Sequence, residues 1–152
     1  MLSVDLVPMC APQLLAETGS VDVPHDLLRL PLLGEFNVDI PHPEGIEADW
    51  RSWFRAAGVE MDTSPAPRSY FATQQMLASA AISGLGVALL TPGFFRNEID
   101  AGRLVEISPV RLHDVESYYL VCLSSRRDVP KIKAFREWLQ SEIAAEQLPF
   151  ST

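Results

Sequence analysis

The sequence predicts an α/β fold with a mostly parallel sheet covered by helices on both faces. Predicted strands alternate with predicted helices over most of the 152 residues, which is the order that parallel sheets with crossover helices produce. The segment Val87–Leu90 is continuously apolar, as expected for a strand buried on both faces. The chain closes with a long amphipathic helix, predicted over Val129–Glu146.

The first half of the chain is predicted to form short elements. Strands are expected at Val4–Cys10, Pro31–Phe36 and Val59–Thr63, and helical turns are expected at Pro12 and Asp26.

The clearest helix of this half surrounds two tryptophans. Apolar side chains recur there at positions i, i+3, i+4 and i+7, which are Trp50, Trp53, Phe54 and Ala57. Gly58 follows where a glycine commonly ends a helix.

The second half alternates in the same way. Ser69 is predicted to cap a helix over Tyr70–Ser83 that ends at Gly84. Further elements are a short helix and two strands, expected at Pro92–Ala101, Arg103–Ile107 and Ser117–Ser124.

The glycine pair of Gly84-Leu85-Gly86 resembles part of a dinucleotide-binding fingerprint, but its position argues against that function. Phosphate-binding loops follow a strand and open a helix, whereas this turn follows a helix and precedes a strand. The sequence therefore predicts a tight turn in which Gly84 ends the helix and Gly86 lets it pack closely on the sheet.

Composition restricts the possible partners. The formal net charge is −8, and an acidic surface repels phosphate, so the chain itself is a poor candidate for binding nucleic acid. No apolar run reaches the roughly 18 residues that span a bilayer, and the N-terminus lacks the basic region of a secretory signal. We therefore expect a cytoplasmic protein that makes no membrane contact.

No catalytic or metal-binding pattern is visible in the sequence. His25, His42 and His113 fall in separate loops without other metal ligands near them, and are expected to be surface histidines. Cys10 and Cys122 lack the spacing of a zinc or redox site, and Cys10, which has no neighbouring base, is expected to be an inert buried thiol. We predict no cofactor, no metal and no enzymatic activity; a small α/β enzyme is the least supported function.

A ligand site remains the best functional hypothesis, because open α/β sheets bind ligands beyond the carboxyl ends of their strands. Three places qualify: the loop after Phe36 together with the tryptophan helix, the Ser69 turn, and Thr91 after the buried strand. Each also has a purely structural interpretation. The tryptophans can be core residues, Ser69 a plain helix cap, and Thr91 a cap for the helix at Pro92.

Seven motifs together resemble a known family. They are LVPMCAPQLLA (6–16), DLLRLPLL (26–33), WRSWFRAAG (50–58), SGLGVALLTP (83–92), AGRLV (101–105), SYYLV (117–121) and AFREWL (134–139). In this order and spacing they resemble the effector-binding domain of LysR-type transcriptional regulators, especially the branch of the glycine-cleavage and β-lactamase activators. The resemblance covers residues 4–145.

The resemblance implies a periplasmic-binding-protein-like (type 2) fold with two subdomains joined by crossover strands. Residues 1–10 would be the first crossover, 11–116 the complete second subdomain, 117–124 the return crossover and 125–152 the C-terminal helix of the first subdomain. The family's helix-turn-helix domain and most of its first subdomain have no counterpart here, so DNA would be contacted only through a domain absent from this chain.

The resemblance also implies a function: sensing a small effector, anionic or amino-acid-like, in a cleft between subdomains of a homodimer or tetramer. Two alternatives remain, an interaction or oligomerisation fragment that does not bind effector and, less supported, a solute-binding protein. The cleft-lining positions implied on this chain are Phe36, Asn37, Asp49, Trp50, Ser69, Tyr70 and Thr91.

Two further expectations follow from the resemblance. Without the rest of the first subdomain, the face of Phe135, Trp138 and Leu139 would be exposed, and we expect either association through this face or a detached, mobile tail. The two cysteines would lie on neighbouring crossover strands. Oxidation could then join them in a disulfide, but the favoured expectation is two buried thiols.

Overall fold

The structure, a computed structural model, describes residues 2–36, 45–59 and 69–145, with side chains described over 5–36, 49–59, 69–113 and 119–144. The strands are β1 (Leu2–Cys10), β2 (Leu32–Glu35), β3 (Ser69–Phe71), β4 (Val87–Leu90), β5 (Val105–Glu106) and β6 (Leu112–Tyr118). The helices are α1 (Pro12–Thr18), α2 (Gly45–Ala56), α3 (Gln74–Ile82), α4 (Arg96–Asp100) and α5 (Pro130–Ala145). Short 3-10 segments occupy Pro24–Arg29, Pro92–Phe95 and Ser124–Arg126.

The sheet mixes parallel and antiparallel pairs. Its strand order is β3-β2-β4-β1-β5, and β6 pairs with β1. β2 runs parallel to both β3 and β4, whereas β1 runs antiparallel to β4 and β5. All four residues of β4 are buried, as the continuous apolar run predicted. The predicted α/β class is therefore confirmed. The expectation of a mostly parallel sheet is wrong, because β3, β2 and β4 run parallel whereas β1 pairs antiparallel with both β4 and β5.

The chain forms two compact units. One comprises Asp5–His113 and contains β2 to β5 and α1 to α4. Its core joins β1, β2, β4 and α3 through buried side chains such as Met9, Leu33, Leu77 and Leu90. The other unit comprises Met1–Val4 and Asp114–Thr152, and it contains α5.

The turn between α3 and β4 has the structure that its two glycines predicted. Gly84 has a φ of 78°, and the amide of Leu85 donates to the carbonyl of Ala80 at 3.1 Å to close the end of the helix. A Cβ atom at Gly86 would lie 2.2 Å from the carbonyl oxygen of Pro31. Only glycine therefore permits this approach of the turn to the chain that enters β2.

Two sequence-based predictions of secondary structure are wrong. The helix predicted over Tyr70–Ser83 begins instead at Gln74, and Ser69 lies in β3 rather than at a helix cap. The strand predicted over Ser117–Ser124 lies earlier, at Leu112–Tyr118. Its charged residues favoured a loop, but pairing with β1 supplies backbone partners that local propensity does not reveal.

The remaining elements largely agree with prediction. β1, α1, β2 and α2 lie where they were expected, and the segment at Pro92–Ala101 is a 3-10 turn followed by α4. Of the strand predicted at Val59–Thr63, Val59 is among the described residues and residues 60–63 are not. Nowhere in the described ranges is a helix both long and apolar enough to cross a membrane.

Candidate ligand site at the carboxyl edge of the parallel strands

The carboxyl ends of β3, β2 and β4 lie side by side. Glu35, the last residue of β2, pairs with Phe71, the last residue of β3. The amide of Phe36 donates to the carbonyl of Phe71 at 2.9 Å, which extends this pairing beyond β2. Thr91 directly follows β4, which pairs with the other side of β2. The structure therefore brings Phe36 and Thr91 to the same edge of the sheet.

Thr91 has a buried hydroxyl group without a hydrogen-bond partner among the described residues. Its side chain is 4% exposed, and its Oγ1 forms no hydrogen bond with any described residue. Thr91 occupies the N-cap position of the 3-10 turn that begins at Pro92, as expected, but its side chain makes no capping hydrogen bond. A buried hydroxyl that lacks a hydrogen bond costs about 1–3 kcal/mol, so such groups nearly always have a partner, which can be a water or an ion.

The N-terminus of α3 reaches the same edge, and sequence reasoning missed the residues that place it there. The hydroxyl of Thr73 caps the helix by accepting from the amide of Met76 at 3.3 Å. The next side chain, Gln74, accepts a hydrogen bond at Oε1 from the amide of Thr91 at 3.2 Å. Thr73 was detectable in the sequence, because it stands four residues before Leu77, the first buried residue of the helix.

Ser69 and Tyr70 contribute differently from the prediction. Both are exposed and lie within β3, where they pair with Leu33 and Gly34 of β2. They are thus residues of an outer strand beside the site, and the helix start that had been assigned to Ser69 belongs to Thr73.

The tryptophan helix supports the site from inside the protein. Trp50 is 1% exposed, and its indole Nε1 donates to the carbonyl of Leu33 at 2.8 Å. Its ring also packs edge-to-face on Trp53 and at a tilt against Phe54, with ring centroids 6.0 and 5.8 Å away. The Trp50 ring is therefore a core group that ties α2 to β2. Asp49, one residue earlier, is half-buried, and Asn37 lies outside the described residues.

A small cavity lies under this edge. Glu35, Asp49 and Trp50 line it together with apolar side chains of β1, β2, β4 and α3. Its volume of about 10 Å³ is that of a single water site. The described residues therefore do not enclose a small molecule at this edge.

A larger concavity occurs at the opposite end of β4. It has a volume of about 760 Å³ and lies between α1, β5 and the following segment. Among the described residues, Glu106 is the one ionisable side chain that lines it, and Glu106 is ion-paired with Arg111 at 2.8 Å. Because it lacks converging polar groups, we favour the carboxyl edge despite its smaller volume.

The titratable groups of the described residues do not form a catalytic arrangement. Cys10 is fully buried, and burial raises the pKa of its thiol to about 11, so it is protonated at neutral pH. His25 and His113 are exposed, and Nδ1 of His113 lies 3.1 Å from a carboxylate oxygen of Asp5; His42 is not among the described residues. In the parts of the chain that are described, no three His, Cys, Asp or Glu side chains cluster as metal ligands would.

Sequence comparison connects this architecture to one family. Residues 1–144 match the family model described as the LysR substrate binding domain. The chain is 34% identical over 146 residues to the glycine cleavage system transcriptional activator of Escherichia coli (strain K12), covering 95% of this chain and 44% of that protein. It is 33% identical over 139 residues to the HTH-type transcriptional activator AmpR of Rhodobacter capsulatus, covering 91% and 43%. The chain thus spans less than half the length of these relatives.

Solved structures agree with the sequence comparison. The effector domain of the transcriptional regulator AmpR of Pseudomonas aeruginosa superposes with a TM-score of 0.73 at 29% identity, covering 95% of this chain and 64% of that chain. The AmpR effector binding domain of Citrobacter freundii gives 0.71 at 25% identity, covering 94% and 65%. The fold is therefore the periplasmic-binding-protein-like (type 2) fold of such effector domains.

Proposed function

This chain belongs to the LysR substrate binding domain family, and on that premise we propose that it is the effector-sensing part of a LysR-type transcriptional regulator. The proposed activity is reversible binding of a small effector with no chemistry performed on it. The site would lie at the carboxyl edge of β3, β2 and β4. Its proposed positions are Phe36, Asn37, Asp49, Ser69, Tyr70 and Thr91, with Trp50 as a buried core residue that supports them, and we propose Thr73 and Gln74 as additional positions.

The unpartnered hydroxyl of Thr91 is the observation that carries this proposal. It stands beside the beginning of α3, because Gln74 links that helix to the amide of Thr91. The first amides of a helix lack intrahelical partners and carry partial positive charge. An effector oxygen placed here would accept from these amides and from the Thr91 hydroxyl, so we infer an anionic or amino-acid-like effector with a carboxylate at this edge.

The wider biology follows from the relatives. Two of them are transcriptional activators, one of which is described as HTH-type. We infer that the regulator is cytoplasmic, acts as a homodimer or tetramer, and contacts DNA through a helix-turn-helix domain lying outside this chain. The acidic net charge of −8 supports this inference, because it disfavours direct DNA contact by the sensing part.

A thermal-shift screen tests effector binding. The chain is heated with a panel of amino acids and small carboxylates, since a ligand of the native state raises the melting temperature in a saturable way. We expect one class of panel compounds to stabilise the wild type and the variant Thr91→Ser, which keeps the hydroxyl. The same compounds should shift Thr91→Val, which lacks the hydroxyl, much less.

The second candidate function is an association fragment that does not bind effector. The small volume under the carboxyl edge favours it, because the described residues do not enclose a small molecule there. A folded chain that no panel compound stabilises would support this candidate and contradict effector binding by this chain.

The third candidate is a solute-binding protein. Such a protein would bind panel compounds but would show no link to transcription in a reporter assay of the full regulator.

A further inference from the structure

The concavity of about 760 Å³ between α1 and β5 is an open groove with mainly apolar walls. We call it the α1–β5 groove. It is formed by residues 12–21 and 105–109, all of which belong to the Asp5–His113 unit. Its volume is within the range of binding sites, and apolar walls that stay in contact with water mark an interaction surface. Five half-buried apolar side chains line it: Pro12, Leu15, Val21, Val105 and Ile107.

β5 is the outermost described strand on this side of the sheet, and its register shows which backbone groups face outward. Glu106 pairs with Met9, and the amide of Ile107, next along the chain, donates to the carbonyl of Pro8 at 3.0 Å. Hydrogen-bonded and non-hydrogen-bonded pairs alternate along antiparallel strands, so the N–H and C=O of Glu106 point away from β1. This edge therefore offers one donor and one acceptor to a further strand.

Ser108 adds a buried hydroxyl group to the same wall. It is 8% exposed and lines the groove. Its Oγ accepts from the amide of Val110 at 3.2 Å, but within the described ranges its own proton has no acceptor. The polar groups of Glu106 and Ser108 thus follow one another in a row and do not converge on one point. Such a row fits the repeating carbonyls and amides of an extended peptide better than a compact ligand.

Charge favours a basic occupant of this groove. Acidic residues outnumber basic residues two to one in the Asp5–His113 unit. Glu17 and Asp22 each follow a groove-lining residue and are exposed, and neither forms an ion pair with any side chain that the structure describes. Arg29 and Arg111, beside the groove, are already ion-paired with acidic side chains at 3.9 and 2.8 Å. The surroundings of the groove therefore carry uncompensated negative charge.

We propose that the α1–β5 groove binds an extended segment of a partner protein, which adds to the sheet as a strand beside β5. Apolar residues at alternate positions of the segment enter the groove, and the long basic side chains between them reach the acidic surroundings. The backbone of the segment bonds to the outward N–H and C=O of Glu106, and the Ser108 hydroxyl donates to one of its carbonyls. β5 is only two residues long, so we expect affinity in the micromolar range. This inference does not depend on effector binding at the carboxyl edge.

Other occupants fit the groove less well. A second copy of this chain, itself with a net charge of −8, would bring like charge to acidic surroundings. Nucleic acid is disfavoured for the same reason, because its phosphates are repelled. A basic extended segment satisfies the apolar walls, the outward backbone groups and the charge together.

Fluorescence anisotropy on the full 152-residue chain tests the proposal with three dye-labelled hexapeptides. The first alternates valine and lysine, and we expect it to bind saturably. The second alternates valine and glutamate, and the third is the first peptide with N-methylated backbone amides, which keeps the side chains but cannot donate to a strand. Both should bind at least tenfold more weakly. Equal binding of the acidic peptide or of the methylated peptide would overturn the proposal.

Matched variants locate the site of binding. Ala16→Lys places a long cationic side chain in the groove from an exposed position of α1, and should weaken binding of the valine-lysine peptide at least tenfold in Kd. Gln13→Lys adds the same charge at an exposed position of α1 that does not line the groove, and should leave the Kd nearly unchanged. Equal effects of the two variants would overturn the assignment to this groove.

The hydroxyl of Ser108 has its own control. Ser108→Ala should weaken binding of the same peptide severalfold, whereas Ser79→Ala, which removes an exposed hydroxyl of α3, should not change it. An unchanged Kd in Ser108→Ala would contradict the role of this hydroxyl. A folded chain that binds none of the three peptides would overturn the whole proposal and would leave the thermal-shift result on effector binding unaffected.

Discussion

The side chain of Gln74 accepts a hydrogen bond from the backbone amide of Thr91 at 3.2 Å. This bond joins the first residue of α3 to the residue that follows β4. The hydroxyl of Thr91 is buried and has no hydrogen-bond partner among the described residues. A buried hydroxyl that stays without a hydrogen bond lowers the free energy of unfolding, which a substitution at Thr91 can measure.

The first prediction concerns that cost. Thr91→Val replaces the unpartnered hydroxyl by a methyl group of similar size. We expect the free energy of unfolding without ligand to rise by about 1 kcal/mol, because the penalty for the buried hydroxyl disappears. Urea denaturation followed by circular dichroism measures the change. A variant that is less stable than the wild type would show that the hydroxyl is satisfied in solution.

The second prediction concerns the turn between α3 and β4. Gly86→Ala places a methyl group 2.2 Å from the carbonyl oxygen of Pro31, so backbone must move. We expect a loss of about 3 kcal/mol or more in the free energy of unfolding, as for strong overpacking. Gly102→Ala is the control. Its φ is 68° but the space around it is open, so we expect a loss of only about 1–2 kcal/mol. Equal losses in the two variants would contradict the close approach.

The third prediction concerns the tryptophans. Trp50→Phe removes the indole donor to the buried carbonyl of Leu33 and leaves a cavity. We expect a loss of about 2–4 kcal/mol in the free energy of unfolding. Trp138→Phe, at an exposed position, should change it by less than about 0.5 kcal/mol when measured at concentrations where the chain is monomeric. A small effect of Trp50→Phe would mean that this ring is available for ligand contact and is not a core group.

The fourth prediction concerns the two free thiols. Cys10 is buried as expected, whereas Cys122 is exposed, so the expectation of two buried thiols is wrong for Cys122. In the native protein at pH 8, a thiol reagent should label Cys122 quickly and Cys10 only after addition of denaturant. In Cys122→Ser, rapid native-state labelling should disappear. Fast labelling of two thiols in the native wild type would contradict the burial of Cys10.

The raised pKa of Cys10 also has a consequence for stability. Because the folded-state pKa of about 11 exceeds the reference value of 9.0, folding disfavours the thiolate. The associated stability is complete below pH 9 and is lost as the pH rises towards 11. Denaturation at pH 8 and pH 10.5 should therefore show a decline, and the decline should be smaller in Cys10→Ala. Equal declines in both proteins would contradict this assignment.

The sequence was most informative where the hydrophobic pattern was strong. The continuous run of β4, the helical spacing of Trp50 and Trp53, and the glycines at 84 and 86 each predicted their local structure correctly. These features depend on neighbours in the chain, so short-range patterns suffice to identify them.

Features that depend on tertiary contacts were not predictable in the same way. Ser69 and Thr73 are both suitable helix caps by residue type, and only the pairing of β3 with β2 assigns Ser69 to a strand. The bond from Thr91 to Gln74 joins residues 17 positions apart, and no local pattern indicates it. The seven positions implied by family resemblance remain predictions, of which the structure places Thr91 and Phe36 at one edge.

Effector binding at the carboxyl edge is tested most directly by backbone amide NMR of the ¹⁵N-labelled chain, titrated with the stabilising compound from the thermal-shift panel. Our account predicts saturable chemical-shift changes concentrated at the amides of Gln74, Gln75 and Thr91, and their loss in Thr91→Val. Changes concentrated instead at Leu15, Val105 and Ile107, which line the opposite concavity, would contradict it.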